Sequence, residues 1–192
     1  MRFHGFIGVF SDRRGMIFGN GKSVFCLKQL MNVYKSWDLA KRYIVYRPVD
    51  LIKLLDEENK IQAVLWDDAG LWSHRESFKK LMNMLNKVRE KIDMFFMTSY
   101  RASLLPKRLL NEIDYYVYIY RPLIPTPTAE ARIYGRIYGR DGYEAYGKND
   151  PLEVIRFDVY FEYYPEYEAM RRKYANEAMK KLLKEMSRNG FL

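Results

Sequence analysis

An α/β protein is what the sequence predicts: a mostly parallel sheet of about five strands flanked by helices, followed by an antiparallel β-element and a helix. Three observations carry this expectation. Through the first 121 residues, strand-like apolar runs alternate with helical runs, the pattern of parallel strands joined by helical crossovers. Two of those runs, Ile61-Gln62-Ala63-Val64-Leu65-Trp66 and Met94-Phe95-Phe96-Met97, are apolar nearly throughout, as expected of strands covered on both faces. After a proline-rich break at 122–128 the hydrophobic period changes to two.

Taken in order, the first strand is Phe6-Ile7-Gly8-Val9-Phe10, and after a glycine-bearing loop a helix runs from 22 to about 35. Residues 42–47 are β-branched and aromatic and read as a short strand; Pro48 ends it and suits the first turn of the next helix. The strand at 61–66 ends in Asp67 and Asp68. A long helical pattern over 73–92 precedes the strand at 94–99, a helix over 104–113 carries Pro106 near its start, and 114–121 is a fifth strand. The expected organisation is a core at 1–121, a linker at 122–130 and an appendage at 131–192 packed on that core. In the appendage, Arg132, Tyr134, Arg136, Tyr138 and Arg140 alternate with isoleucine and glycine, and Asp141-Gly142 is a hairpin signal. Alternation continues at 154–163, with Ile155, Phe157, Val159 and Phe161 inward, and Pro165 opens a final basic amphipathic helix.

Composition limits the function classes. The 192 residues carry 33 basic and 24 acidic side chains, a net charge of +9, which suits polyanionic partners without identifying one. Cys26 is the single cysteine, so a disulfide or thiolate-metal cluster within the chain is excluded. His4 and His74 are too few for a histidine-rich metal site. With no apolar run of membrane-spanning length and no room for a signal peptide ahead of the first strand, the expectation is a soluble, cytoplasmic protein. Abundant charge, scarce glutamine and 17 tyrosines fit a thermophilic source.

The chemistry-bearing stretch is Gly19-Asn20-Gly21-Lys22-Ser23, set between the first strand and the first helix. Binding a polyphosphate calls for such an arrangement. Unpaired N–H groups at a helix N-terminus point at the phosphates, and glycines admit close approach. A lysine meets the β/γ-phosphates, and a hydroxyl reaches Mg²⁺. Gly15, Gly19, Asn20, Gly21, Lys22, Ser23 and Val24 are the binding candidates. The competing reading is a Gly-Asn-Gly turn with an exposed lysine at a helix start. Trp66-Asp67-Asp68, 45 residues further on, has room for helix, strand, helix and strand between it and Lys22.

These residues resemble the Walker A and Walker B motifs of P-loop NTPases. The regular spacing would put the first glycine at Met16, whereas Gly15 lies one residue earlier, so the loop is read as lengthened and carrying Arg13 and Arg14. The acidic pair is similar to that of the branch with an added strand between the two motif strands, which includes RecA-like ATPases and the FtsK and HerA motors. What the resemblance implies is ATP and Mg²⁺ as cofactors, Ser23 and Asp67 on the metal side, and Asp68 as the catalytic carboxylate in a position commonly held by glutamate. It makes 94–99 the intervening strand, with Thr98 or Ser99 as a polar sensor. An arginine finger would come from Arg75, Arg101, Arg108 or Arg121, with Arg101 favoured by its place after the sensor strand.

The chain is also similar to small ATPases encoded by archaeal plasmids and viruses, in its Trp-Asp-Asp-Ala-Gly-Leu-Trp stretch, tyrosine-rich last third and closing Tyr-Pro-Glu-Tyr helix. This implies a homo-oligomeric ATPase acting in DNA replication, transfer or packaging. The face carrying Arg132, Tyr134, Arg136, Tyr138 and Arg140 would stack and neutralise single-stranded DNA, or else pack against a neighbouring strand. Two other functions stay open at this point: a slow nucleotide-dependent switch or assembly factor, and a non-catalytic DNA-binding protein on a P-loop scaffold.

Overall fold

The computed structural model describes residues 3–12, 19, 21–69, 76–124, 126–136 and 150–188. In chain order the elements are β1 (Gly5–Ser11), α1 (Lys22–Tyr34), α2 (Trp37–Ala40), β2 (Ile44–Val45), α3 (Pro48–Glu57), β3 (Ile61–Trp66), α4 (Glu76–Asn83) and α5 (Leu85–Lys91). They continue with β4 (Ile92–Thr98), α6 (Lys107–Leu110), β5 (Tyr115–Tyr120), β6 (Thr128–Gly135), β7 (Glu153–Asp158) and α7 (Tyr164–Arg188).

One seven-stranded sheet has the order β2-β3-β4-β1-β5-β6-β7. The first five strands are parallel, and β6 and β7 add antiparallel to β5. The α/β class and the mostly parallel sheet are therefore as the alternation of elements predicts. The antiparallel segment, expected as an appendage, instead extends the same sheet: Tyr120 pairs with Glu130 and Ala129 with Phe157. Two compact units divide the chain, Met1–Tyr160 and Phe161–Leu192. The second is α7 with its entry turn, where Tyr164 and Tyr167 pack with ring centroids 5.5 Å apart.

Both faces of the sheet are covered. Phe6, Phe10, Val64, Trp66, Phe95, Met97 and Tyr116 face one layer with Leu51, Leu55, Leu81, Leu85, Val88 and Leu109 of the helices. On the other face Phe3 stacks edge-on against Phe25 of α1 and Phe96 of β4. This two-sided cover is the reason β3 and β4 read as continuous apolar runs.

Several elements are shorter than their sequence pattern. Residues Lys41–Tyr43 form a 3₁₀ turn, leaving two residues in β2. Tyr43 stacks flat on Tyr34, with ring centroids 4.5 Å apart. Where β2 does not reach, the Tyr34 hydroxyl completes the edge of β3, donating to Ala63 O at 2.7 Å and accepting from Ala63 N at 3.0 Å. The helix expected over 73–92 is broken at Met84, whose N–H bonds Leu81 O at 2.8 Å, and its end is taken by β4, where Ile92 pairs with Ile61; residues 73–75 lie outside the described residues. Over 104–113 only one helical turn forms, because Pro106 is extended (ψ 145) and starts α6 late. β6 begins at Thr128, inside the stretch expected as linker, since Ala129, Ala131 and Ile133 supply a buried face. The hairpin expected at Asp141-Gly142 lies outside the described residues.

Tyr34→Phe should cost about 1–3 kcal/mol at neutral pH, because it leaves both polar groups of Ala63 without their partner. Burial, foremost, pushes the Tyr34 hydroxyl from its ordinary 10.0 up to about 12. A raised value in the fold means stability that is complete below 10.0 and is lost as pH rises towards about 12. Denaturant titrations over that window should show the parent losing stability and Tyr34→Phe losing less.

Candidate functional site

Parallel register places the ends of β1, β3 and β4 at one edge of the sheet. Val9 pairs with Thr98 and Trp66 with Met97, so Ser11, Asp67 and Thr98 end up together. β4 lies between β1 and β3, as expected for the strand at 94–99. A crevice outside the carboxyl ends of the strands, where the strand order reverses around β1, is where ligands bind in open α/β sheets.

The described part of the glycine loop opens α1. Gly21 caps the helix in the left-handed conformation (φ 98, ψ 11), and Gly19 has φ 65. The positive φ favours glycine at 21, and the space beside it is close: a Cβ there would lie 3.2 Å from Val159 Cγ1 and 3.4 Å from the Phe157 ring. Thirteen residues long, α1 has no acidic residue in its first turn and no side-chain cap, so its leading N–H groups face the loop beside Lys22, Ser23 and Val24. Gly15 and Asn20 lie outside the described residues.

Asp67 is the hub of the polar side. Only 1 % exposed, it accepts from Ser23 Oγ at 3.0 Å and from Thr98 Oγ1 at 2.6 Å, both at Oδ1. Thr98 Oγ1 in turn accepts from the Asp68 N–H at 2.8 Å. Thr98 thus holds both aspartates, which makes it a positioning residue within the cluster. Ser99, the other sensor candidate, donates to Arg101 O at 3.0 Å. Asp68 takes a left-handed backbone (φ 52), uncommon outside glycine but tolerated by Asp and Asn. Lys22 Nζ donates to Ser11 Oγ at 2.9 Å. Beneath this cluster, burial raises the Cys26 thiol well above its ordinary value; Asp67 raises it further and Lys22 opposes.

A hydroxyl and a buried carboxylate sharing one hydrogen bond suit a small divalent cation. Such a cation takes one or two protein oxygens and completes its shell with water and phosphate. Among the described residues no cluster of three or more His, Cys, Asp or Glu could hold a metal ion unaided, and this chemistry does not need one.

The arginines separate clearly. Arg121 donates from Nη1 to Gly19 O at 2.9 Å and from Nε and Nη2 to Thr126 O at 2.9 and 2.6 Å, pinning the glycine loop to the loop after β5. Arg101 is exposed, with its guanidinium 4.9 Å above the Tyr100 ring. Arg108 reaches Asn83 Oδ1 at 3.4 Å, and Arg75 lies outside the described residues.

On β6 the alternation is as the sequence indicates, but its polar face is not open surface. Arg132 pairs with Asp12 at 3.4 Å and Glu130 at 3.1 Å and covers the Tyr120 ring at 5.1 Å. Tyr134 packs edge-on to Tyr118 at 5.8 Å, and Arg136 donates to Asn111 O. All three are half-buried. Tyr138 and Arg140 lie outside the described residues. Sequence reasoning missed Asp12, which follows β1 directly, is 7 % exposed and meets an arginine 120 positions away.

Compared with protein-family models the chain matches none, and no curated protein matches it. No helix among the described residues is long and apolar enough to cross a membrane.

Proposed function

We propose that the chain is a Mg²⁺-dependent P-loop ATPase of the branch with a strand between its two motif strands. The observation that carries the reading is the Ser23–Asp67 hydrogen bond at 3.0 Å. It joins the first turn of the helix after β1 to the acidic end of β3, two places separated by β4 in the sheet. As an exposed lysine beside an ordinary turn, the Gly-Asn-Gly-Lys-Ser stretch would have no reason to meet that carboxylate.

Each residue then has a role. The α1 N–H groups and Lys22 bind the phosphates; Ser23 and Asp67 would hold Mg²⁺, which would supply neutralisation of the phosphate charge. Asp68 orients the attacking water and takes its proton as the β–γ bridge breaks. Thr98 keeps both aspartates in place. Action on DNA and assembly into a homo-oligomer belong to the same proposal. The net charge of +9 supports the first, and the exposed Arg101, available to a neighbouring copy, supports the second.

Phosphate release with and without Mg²⁺, and with and without single-stranded DNA, tests the whole. Metal-dependent turnover stimulated by DNA is expected. Slow, DNA-independent turnover would point to a nucleotide switch, and no turnover together with no ATP binding would overturn the proposal.

Arg121→Ala should lower kcat/KM for ATP by about ten- to a hundredfold, since the loop loses its anchor to Thr126. Arg121→Lys should recover little, because an ammonium cannot reproduce the guanidinium fork. Steady-state kinetics of both variants, alongside hydrogen exchange at residues 21–24, checks this; the exchange should quicken in both.

A further inference from the structure

We propose that Leu123, Ile124 and Tyr160 form the wall on which the nucleobase lies, an inference that rests on the phosphate-loop reading above. Among the described residues these are the three most exposed large apolar side chains, at 76 %, 81 % and 71 %. They belong to two segments that the hydrogen bonds gather around the glycine loop. Arg121, just before Leu123 and Ile124, bonds Gly19 O and Thr126 O, which holds that loop beside the phosphate loop. Val159 N bonds Pro127 O at 2.8 Å, joining the turn after β7 to the far end of the same loop. Asp158 Oδ1 accepts from the Tyr160 N–H at 2.7 Å and fixes that turn. Val159, beside Tyr160, backs Gly21 directly, its Cγ1 3.2 Å from where a Cβ would stand.

Exposed apolar side chains gathered on adjoining segments mark a ligand or partner site. Here the occupant is set by what the loop holds. A nucleotide whose phosphates sit on the α1 N-terminus carries its base beyond the loop, and the flanking segments present an aromatic ring and two branched aliphatic side chains. Such a wall reads the area of a flat ring and few of its hydrogen-bonding edges. The site should therefore prefer purines to pyrimidines and bind ATP and GTP within about tenfold of one another.

The test compares ATP with inorganic tripolyphosphate, which offers the phosphates alone, by calorimetry on the full chain with Mg²⁺. Tyr160→Ala and the double substitution Leu123→Ser/Ile124→Ser should each weaken ATP by about five- to a hundredfold while leaving tripolyphosphate unchanged. Tyr160→Phe should bind ATP like the parent, since the ring and not the hydroxyl makes the contact. If the variants bind ATP as the parent does, the base wall is overturned and the phosphate-loop reading stands. If ATP and tripolyphosphate weaken equally, the substitutions have disturbed the loop and the base wall is again overturned. A parent that binds neither ligand overturns both.

Discussion

Lys22→Ala abolishes measurable ATP turnover while the protein stays folded: this is the expected result, with a loss in kcat of about a hundredfold or more. Lys22 is the motif cation that opens α1, and its Nζ donates to the Ser11 hydroxyl at 2.9 Å. Exchanging that contact for phosphate oxygens needs only rotation of a flexible side chain. The alanine removes the hydrogen bond to Ser11, about 0.5–1.5 kcal/mol, so a stability measurement must stand beside the functional one. Calorimetric titration with ATP and Mg²⁺, beside a denaturant titration, makes the measurement. Unchanged ATP affinity in a folded Lys22→Ala protein would sink the phosphate-binding assignment.

Asp68→Asn should behave differently, binding ATP and Mg²⁺ within a few-fold of the parent while hydrolysis falls by about 10²–10⁴. The substitution is a clean one for a backbone reason. Asp68 has φ 52, which asparagine adopts as readily as aspartate, and the Asp68 N–H that bonds Thr98 is untouched. Alanine at this position would add strain and blur the result. Single-turnover kinetics, which separates binding from chemistry, is the appropriate readout. Hydrolysis at the parent rate would place the water-orienting group elsewhere.

Much of this was legible in the sequence because it is carried by short-range pattern. The apolar runs of β3 and β4, the helix after Gly21 and the acidic pair after Trp66 each announce themselves within ten residues. Ser23, Asp67 and Thr98 could be nominated together only through the resemblance to the two P-loop motifs and their intervening strand; the sheet order then brings the ends of β3 and β4 to the start of α1. What stayed hidden depends on long-range partners. Nothing local says that Arg121 should hold Gly19, 102 positions earlier, when Arg101 follows the expected sensor strand. The period-two face of β6 was visible, but its side chains find Asp12, Tyr118 and Asn111, contacts that only the pairing of β5 with β6 creates. Element lengths failed where tertiary contacts outweigh propensity, as in β2, which the Tyr34 hydroxyl supplements.

The strand order also governs how the chain acquires its fold during synthesis. β1 precedes the other strands of this sheet in the chain, yet its two neighbours are β4 and β5, so Gly5 waits for Met94 and Ile7 for Tyr115. Until then Phe6, Ile7, Val9 and Phe10, all fully buried in the finished protein, have no strand to lie against. Closure over such separations is slow, because loop entropy is lost before pairing returns anything. Meanwhile β3 can pair with β2 and then β4, each close in sequence, to make a three-stranded platform with one unfilled edge. The β1 segment is thus a sticky apolar stretch that must remain unaggregated until residue 120 has left the ribosome, which exposes it to chaperone capture.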